Sequence, residues 1–194
     1  MSNKNYQYPL NFQGKSLTKV VKVIDVLHKT PRTGWVDRKV KDPETVGEHT
    51  DELVFLAEKL FNIPGLNKML KIHDWPESDK NVGDRRTDNS CPKSTRWTKD
   101  EKYQAELTAM KKICLELGIE GKKIFKLWLE FEEKKTERSQ IAHQLDKLQM
   151  IVRAAKYQKE GQPIKVEEFI KEDGDKIKHP ILKRVLDQAV IEIL

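Results

Sequence analysis

In the stretch KMLKIHDWPESDKNVGD, residues 68–84, an imidazole and a carboxylate stand side by side as His73-Asp74, with Glu77, Asp79 and Asp84 just beyond. A neutral imidazole beside a carboxylate is half of a divalent-metal site, so the remaining donors must come from elsewhere in the chain. His49 is one candidate, because Val46, Leu53 and Leu56 stand three before, four after and seven after it. His73 has Leu66, Met69 and Leu70 seven, four and three residues before it. In a helix both rings would therefore face the core.

SQIAHQLDKLQMIVRAA offers a fourth donor. Asp146 is flanked at four residues on either side by Ala142 and Met150, whereas His143 is flanked by Ser139 and Lys147. A carboxylate turned toward apolar neighbours is costly unless paired or metal-bound. Asp146 is therefore taken as the ligand and His143 as a surface residue. His49, His73, Asp74 and Asp146 make an N2O2 set suited to one divalent metal ion, Mn2+, Co2+, Fe2+ or Zn2+, and the lack of thiolate argues against a structural zinc. An open position on such an ion would acidify water for hydrolysis.

These residues need helices to hold them, and helical spacing runs almost throughout. Leu17, Val20, Val21, Ile24 and Leu27 predict a first helix closing near His28. The loop KTPRTGWVDRKVKDPE follows, then a helix from about Val46 to a stop before Pro64-Gly65. A third runs from about Leu66 to the Trp75-Pro76 boundary, where proline disfavours helix in the preceding residue. Residues 78–97 are expected to form a long polar loop. Thr98 then caps a helix to about Leu117, with Gly118 as its stop. Further helices are expected near 120–134, 137–159, Val166 and after Pro180, with no alternating strand pattern. The fold class is all-α, a single-domain helical bundle over 16–194 preceded by an N-terminal extension, 1–15.

Composition sets the surroundings. No apolar run approaches the ~20 residues of a membrane span, and the first residues lack a signal peptide's apolar core. Cys91 and Cys114 form neither a zinc-type pair nor a disulfide framework, which makes a cytoplasmic location the expectation. The net charge of +6 would admit nucleic acid, but the 37 basic residues are interleaved with 31 acidic ones, as solvated helix faces are. A nucleic-acid partner is not expected.

LHKTPRTGWVDRKVKDPETVGEHT, IHDWPES with VGD, AHQLDKLQMI and IKHPIL, in that order from about Leu27 to Leu182, resemble the HD-domain metal-dependent phosphohydrolases, and among them the HD-domain 5′-deoxynucleotidases. The resemblance implies an HD-type bundle with His49, His73, Asp74 and Asp146 as metal ligands. It also implies that Glu77 and the acid of a Gly-Asp pair, here Asp84, act as the catalytic acids. Asp84 lies farther from Glu77 than the family's usual spacing, so Asp79 stays the alternative. Pro76 interrupts the helix inside HDWPE and could shift Glu77 relative to the metal. Arg32, Trp35 and Arg38 are the substrate-binding candidates: arginine offers a planar fork for phosphate and tryptophan a face for a base. Trp35 could instead pack the loop onto the core.

The activity this implies is removal of the 5′-phosphate from (deoxy)ribonucleoside monophosphates, with a nucleotide as the small-molecule partner and a homodimer as the assembly. Two alternatives stand beside it. One is a nucleoside di- or triphosphate phosphohydrolase, using Arg85, Arg86, Lys93 and Arg96 as extra phosphate contacts; the other is a non-catalytic nucleotide-binding module.

Overall fold

The computed structural model describes residues 14–87 and 96–193, and within them the regular elements are all helical. Cys91 and Lys93 lie outside the described residues, as do the first thirteen of the proposed extension. Helix α1 spans Lys15–Leu27, α2 is the short Thr33–Asp37, and α3 runs Val46–Leu60. Next come α4, Leu66–Ile72, and a 3-10 turn, Trp75–Ser78. Helices α5, Lys99–Glu116, and α6, Gly118–Glu133, form a hairpin. The long α7, Glu137–Lys159, is followed by α8, Val166–Asp173, a 3-10 turn at Gly174–Lys176, and α9, Pro180–Ile193. No helix among the described residues is long and apolar enough to cross a membrane.

Local chemistry sets the phase of the helices that carry the candidate ligands. Thr45 Oγ1 accepts from the Glu48 N–H at 3.2 Å, and the Glu48 carboxylate accepts from the Thr45 N–H at 2.8 Å, a reciprocal cap that starts α3 at one residue. Val46, His49, Leu53 and Ala57 are thereby turned inward and buried. A second such cap joins Thr98 and Glu101 at the head of α5. Helix α4 ends where Pro76 enters the 3-10 turn. The His73 carbonyl accepts from the Trp128 indole N–H at 3.2 Å, which satisfies a group freed at the helix end.

Two apolar clusters fill the interior. Leu53, Leu70, Leu145, Leu148 and Leu182 belong to one, built around α7, which packs against α3, α4, α6, α8 and α9. Val20, Ile72, Trp75, Met110 and Trp128 belong to the other, among α1, α5 and α6. Leu70 and Ile72, two residues apart on α4, fall in different clusters. The His73-Asp74 corner is therefore pinned at the seam between them.

Candidate metal centre and active site

His49 from α3, His73 from the end of α4 and Asp146 from α7 each offer a ligand atom, and these atoms all lie within 4.8 Å of one another. Asp74 joins the group: its Oδ2 is 3.1 Å from His73 Nε2 and 3.9 Å from His49 Nε2. Ligand atoms at roughly 2.0–2.2 Å from a common cation would be separated by about 3 to 4.4 Å, so the set is close to closing on one ion.

Each imidazole is oriented from its far side. His73 Nδ1 donates to the Leu70 carbonyl at 2.7 Å, and His49 Nδ1 lies 2.7 Å from Gln149 Oε1. Both rings thus aim Nε2 at the centre. His49 is fully buried, and its Nε2 has no hydrogen-bond partner, although Asp146 Oδ1 is only 3.2 Å away. Lone pair against lone pair is costly in a buried site unless a cation stands between them. The residues present fit a divalent metal.

The surrounding charges hold the acids ionised. Burial alone would raise Asp74, but His73, His49 and Arg32 outweigh it and keep the carboxyl well below the usual range. Asp146 is lowered likewise, with burial overcome by Lys147, His49 and Arg32. His73 moves up to about 9: burial would lower it, and Asp74, Asp146 and the Leu70 carbonyl more than reverse that. A cation binding there must displace this proton.

Glu77 projects from the 3-10 turn and is buried. Burial, then Asp74 and Asp84, push its carboxyl well above the ordinary glutamate value, opposed by Lys102 and Arg32. Asp84 Oδ2 accepts the Thr33 N–H, and Thr33 Oγ1 donates to the Asp84 carbonyl at 2.6 Å, which ties this acid to the loop bearing Arg32. Asp79 is turned elsewhere, accepting from Asn81 N–H at 3.0 Å and from Lys112 at 3.3 Å. The geometry thus groups Asp84, and not Asp79, with Glu77.

The loop candidates separate. Burial would lower the Arg32 guanidinium, but Asp84, Asp146, Asp74 and Glu44 raise it, and it makes no direct side-chain hydrogen bond or ion pair among the described residues. Trp35 is only 2 % exposed, donates its indole N–H to Glu44 at 2.8 Å, and packs against Tyr157 and Phe169 at centroid distances of 5.3 and 5.2 Å. It pins the loop to the core, the packing role set beside the nucleotide-contact reading above. Arg38 donates to the Gly34 carbonyl at 3.1 Å and lies 4.8 Å over Phe169, on the same packed group.

Two site neighbours, Lys102 and Glu106, went unseen in the sequence. Lys102 Nζ on α5 is 3.3 Å from Glu77 Oε1 and 3.4 Å from Glu106 Oε1. His143 is half-buried, not a surface residue: its Nε2–H donates to the Phe131 carbonyl at 2.9 Å, and burial brings its pKa down to about 4. Trp75 is core.

A family model described as HD domain matches residues 24–185. The chain belongs to the HD-domain family. Among relatives, this HD domain is 32 % identical to the 5′-deoxynucleotidase HDDC2 of Dictyostelium discoideum, covering 84 % of this chain and 90 % of that one. The 5′-deoxynucleotidase hdd1 of Schizosaccharomyces pombe is 31 % identical over 92 % of this chain and 91 % of its own length. Among solved structures, the PH0347 protein of Pyrococcus horikoshii OT3 superimposes with a TM-score of 0.70 at 22 % identity, covering 92 % of this chain and 99 % of that one. A chain from Magnetospirillum magnetotacticum, titled a predicted metal-dependent phosphohydrolase, gives 0.66 at 22 % identity, covering 92 % and 93 %. Within this HD domain, the His49, His73 and Asp146 cluster suits a divalent metal.

Proposed function

We propose that this HD domain is a 5′-deoxynucleotidase that hydrolyses the phosphate of nucleoside 5′-monophosphates, with His49, His73, Asp74 and Asp146 holding one divalent cation. The observation that carries the reading is the buried, partnerless His49 Nε2 facing Asp146 across from the His73-Asp74 pair, with Glu77 held above its usual pKa beside them. Names carried by relatives at 31 and 32 % identity support the same activity.

When bound, a divalent cation supplies positive charge for the phosphoryl oxygens and lowers the pKa of solvent it coordinates. The chain supplies the rest. Arg32, whose guanidinium has no direct side-chain partner among the described residues, is suited to face the phosphate and neutralise charge that develops there. Burial, Asp74 and Asp84 raise Glu77 well above its ordinary value, so it is suited to donate a proton to the leaving 5′-oxygen. Asp84, fixed by Thr33, is suited to orient the attacking water. Two of the three arginines invoked for a triphosphate are engaged elsewhere: Arg86 pairs with Asp37 at 2.9 Å, and Arg85 donates to the Val82 carbonyl at 3.1 Å.

The test is a panel of nucleoside mono-, di- and triphosphates incubated with the purified protein and Mn2+ or Co2+. Inorganic phosphate and nucleoside released from the monophosphates is the expected result. Pyrophosphate or tripolyphosphate from triphosphates, with monophosphates untouched, would replace this reading with the triphosphate one. No release from any nucleotide by metal-loaded protein would end both.

A further inference from the structure

Gln149 lies one turn beyond Asp146 on α7 and is 1 % exposed. Its amide nitrogen is 2.9 Å from Glu44 Oε2 and 2.7 Å from Glu52 Oε2, while its oxygen is 2.7 Å from His49 Nδ1. Carboxylates only accept, so the amide must turn its N–H groups to Glu44 and Glu52. That leaves the carbonyl oxygen for His49. A carbonyl also only accepts, so His49 must carry its proton on Nδ1, and the neutral ring then presents a lone pair on Nε2. Glu44 is itself held by its surroundings: it is 3 % exposed, accepts the Trp35 indole N–H at 2.8 Å and pairs with Arg153 Nε at 3.0 Å. Its backbone N–H donates to the Tyr157 hydroxyl at 2.8 Å.

We infer that Gln149 is a positioning residue for the metal centre: with its nitrogen held by Glu44 and Glu52, it fixes the tautomer and the angle of His49 so that Nε2 is the metal donor. The inference rests on the metal reading above and extends it. Helix α7 then has two jobs three residues apart, a ligand at Asp146 and the group that orients another helix's ligand at Gln149. It also gives Trp35 a function at a distance, as the donor that holds Glu44 in place.

Metal affinity, measured by titrating the metal-free protein with Co2+ and following its visible absorption, reads this separately from turnover. Gln149→Met keeps the volume and removes the acceptor, and it is expected to weaken Co2+ binding about 10- to 100-fold, the range found for orienting partners of metal-bound histidines. Wild-type affinity in Gln149→Met would overturn the inference and leave the nucleotidase reading intact. If Gln149→Met does not fold, the wild type decides: in 15N-histidine-labelled protein loaded with Zn2+, the spectrum must show His49 protonated on Nδ1 and metallated on Nε2. Metal on Nδ1 would sink the proposal. Wild-type protein that binds no metal would sink it together with the metal reading.

Discussion

Glu77 sits where four charges compete for one proton. Burial, Asp74 and Asp84 favour the neutral acid, while Lys102 and Arg32 favour the carboxylate. Lys102 stays protonated because Glu77, Glu106, Asp84 and Asp74 outweigh the burial that would otherwise lower it. Removing that ammonium should therefore raise Glu77 further. In a Lys102→Met variant, the limb of the pH–rate profile that belongs to Glu77 is expected to move to higher pH, and Lys102→Arg should leave it near the wild-type position. The sign is the same whether Glu77 acts as acid or base, since either limb follows its pKa. Glu77→Gln should abolish that limb and lower kcat by ~100- to 10,000-fold with Co2+ affinity retained. A limb that stays put in Lys102→Met would mean that the titrating group is elsewhere, with Glu132, raised to about 7 by burial and then Glu106, the next to examine.

At the scale of elements, the site depends on how closely helices approach. Gly118, at φ 61°, turns the chain from α5 into α6, and three residues on a Cβ at Gly121 would lie 1.8 Å from the Cys114 carbonyl oxygen. Backbone cannot swing aside as a flexible side chain can. Gly121→Ala gains about 1 kcal/mol of helix propensity but costs about 3 kcal/mol in overpacking, so urea unfolding should show a net loss of about 2 kcal/mol. An unchanged midpoint would show that the hairpin has slack. The hairpin and its neighbours were legible from sequence because Pro64-Gly65, Thr98, Gly118 and Pro180 punctuate an apolar repeat. The five-residue α2 and the 3-10 turn carrying Glu77 were not, being too short to show a period. Lys102 and Glu106 escaped for a different reason: a Lys–Glu pair four apart reads as a solvated face, and only the packing of α5 beside the HD corner turns it inward. Gln149 carried no signal at all, since an uncharged amide in a helix gives no hint of the buried Glu44 and the half-exposed Glu52 that hold it, from residues about a hundred positions earlier. His49, His73 and Asp146, which the structure brings together, share a simpler cue, polar residues in register with apolar ones.

Across the whole molecule, the candidate ligands come from α3, the end of α4 and α7, so a bound cation would tie together helices from distant parts of the sequence. It would do so at the seam between the two apolar clusters. The unfolded chain does not hold these groups within reach of each other, so binding to the folded state alone contributes directly to stability. At a free metal concentration one hundred times Kd the gain is about 2.7 kcal/mol. For a domain of this size, ~2 to 4 °C per kcal/mol converts that to a rise in Tm of about 5 to 11 °C. Stripping the protein with a chelator and restoring Mn2+ or Co2+ should reproduce this shift reversibly. Asp146→Ala should remove the shift while leaving the metal-free Tm within a few degrees of the wild type, because it deletes an inward carboxylate along with its partners' attraction. If Asp146→Ala shows the full rise, the cation is bound away from α7, and the three-helix centre described above is not where it sits.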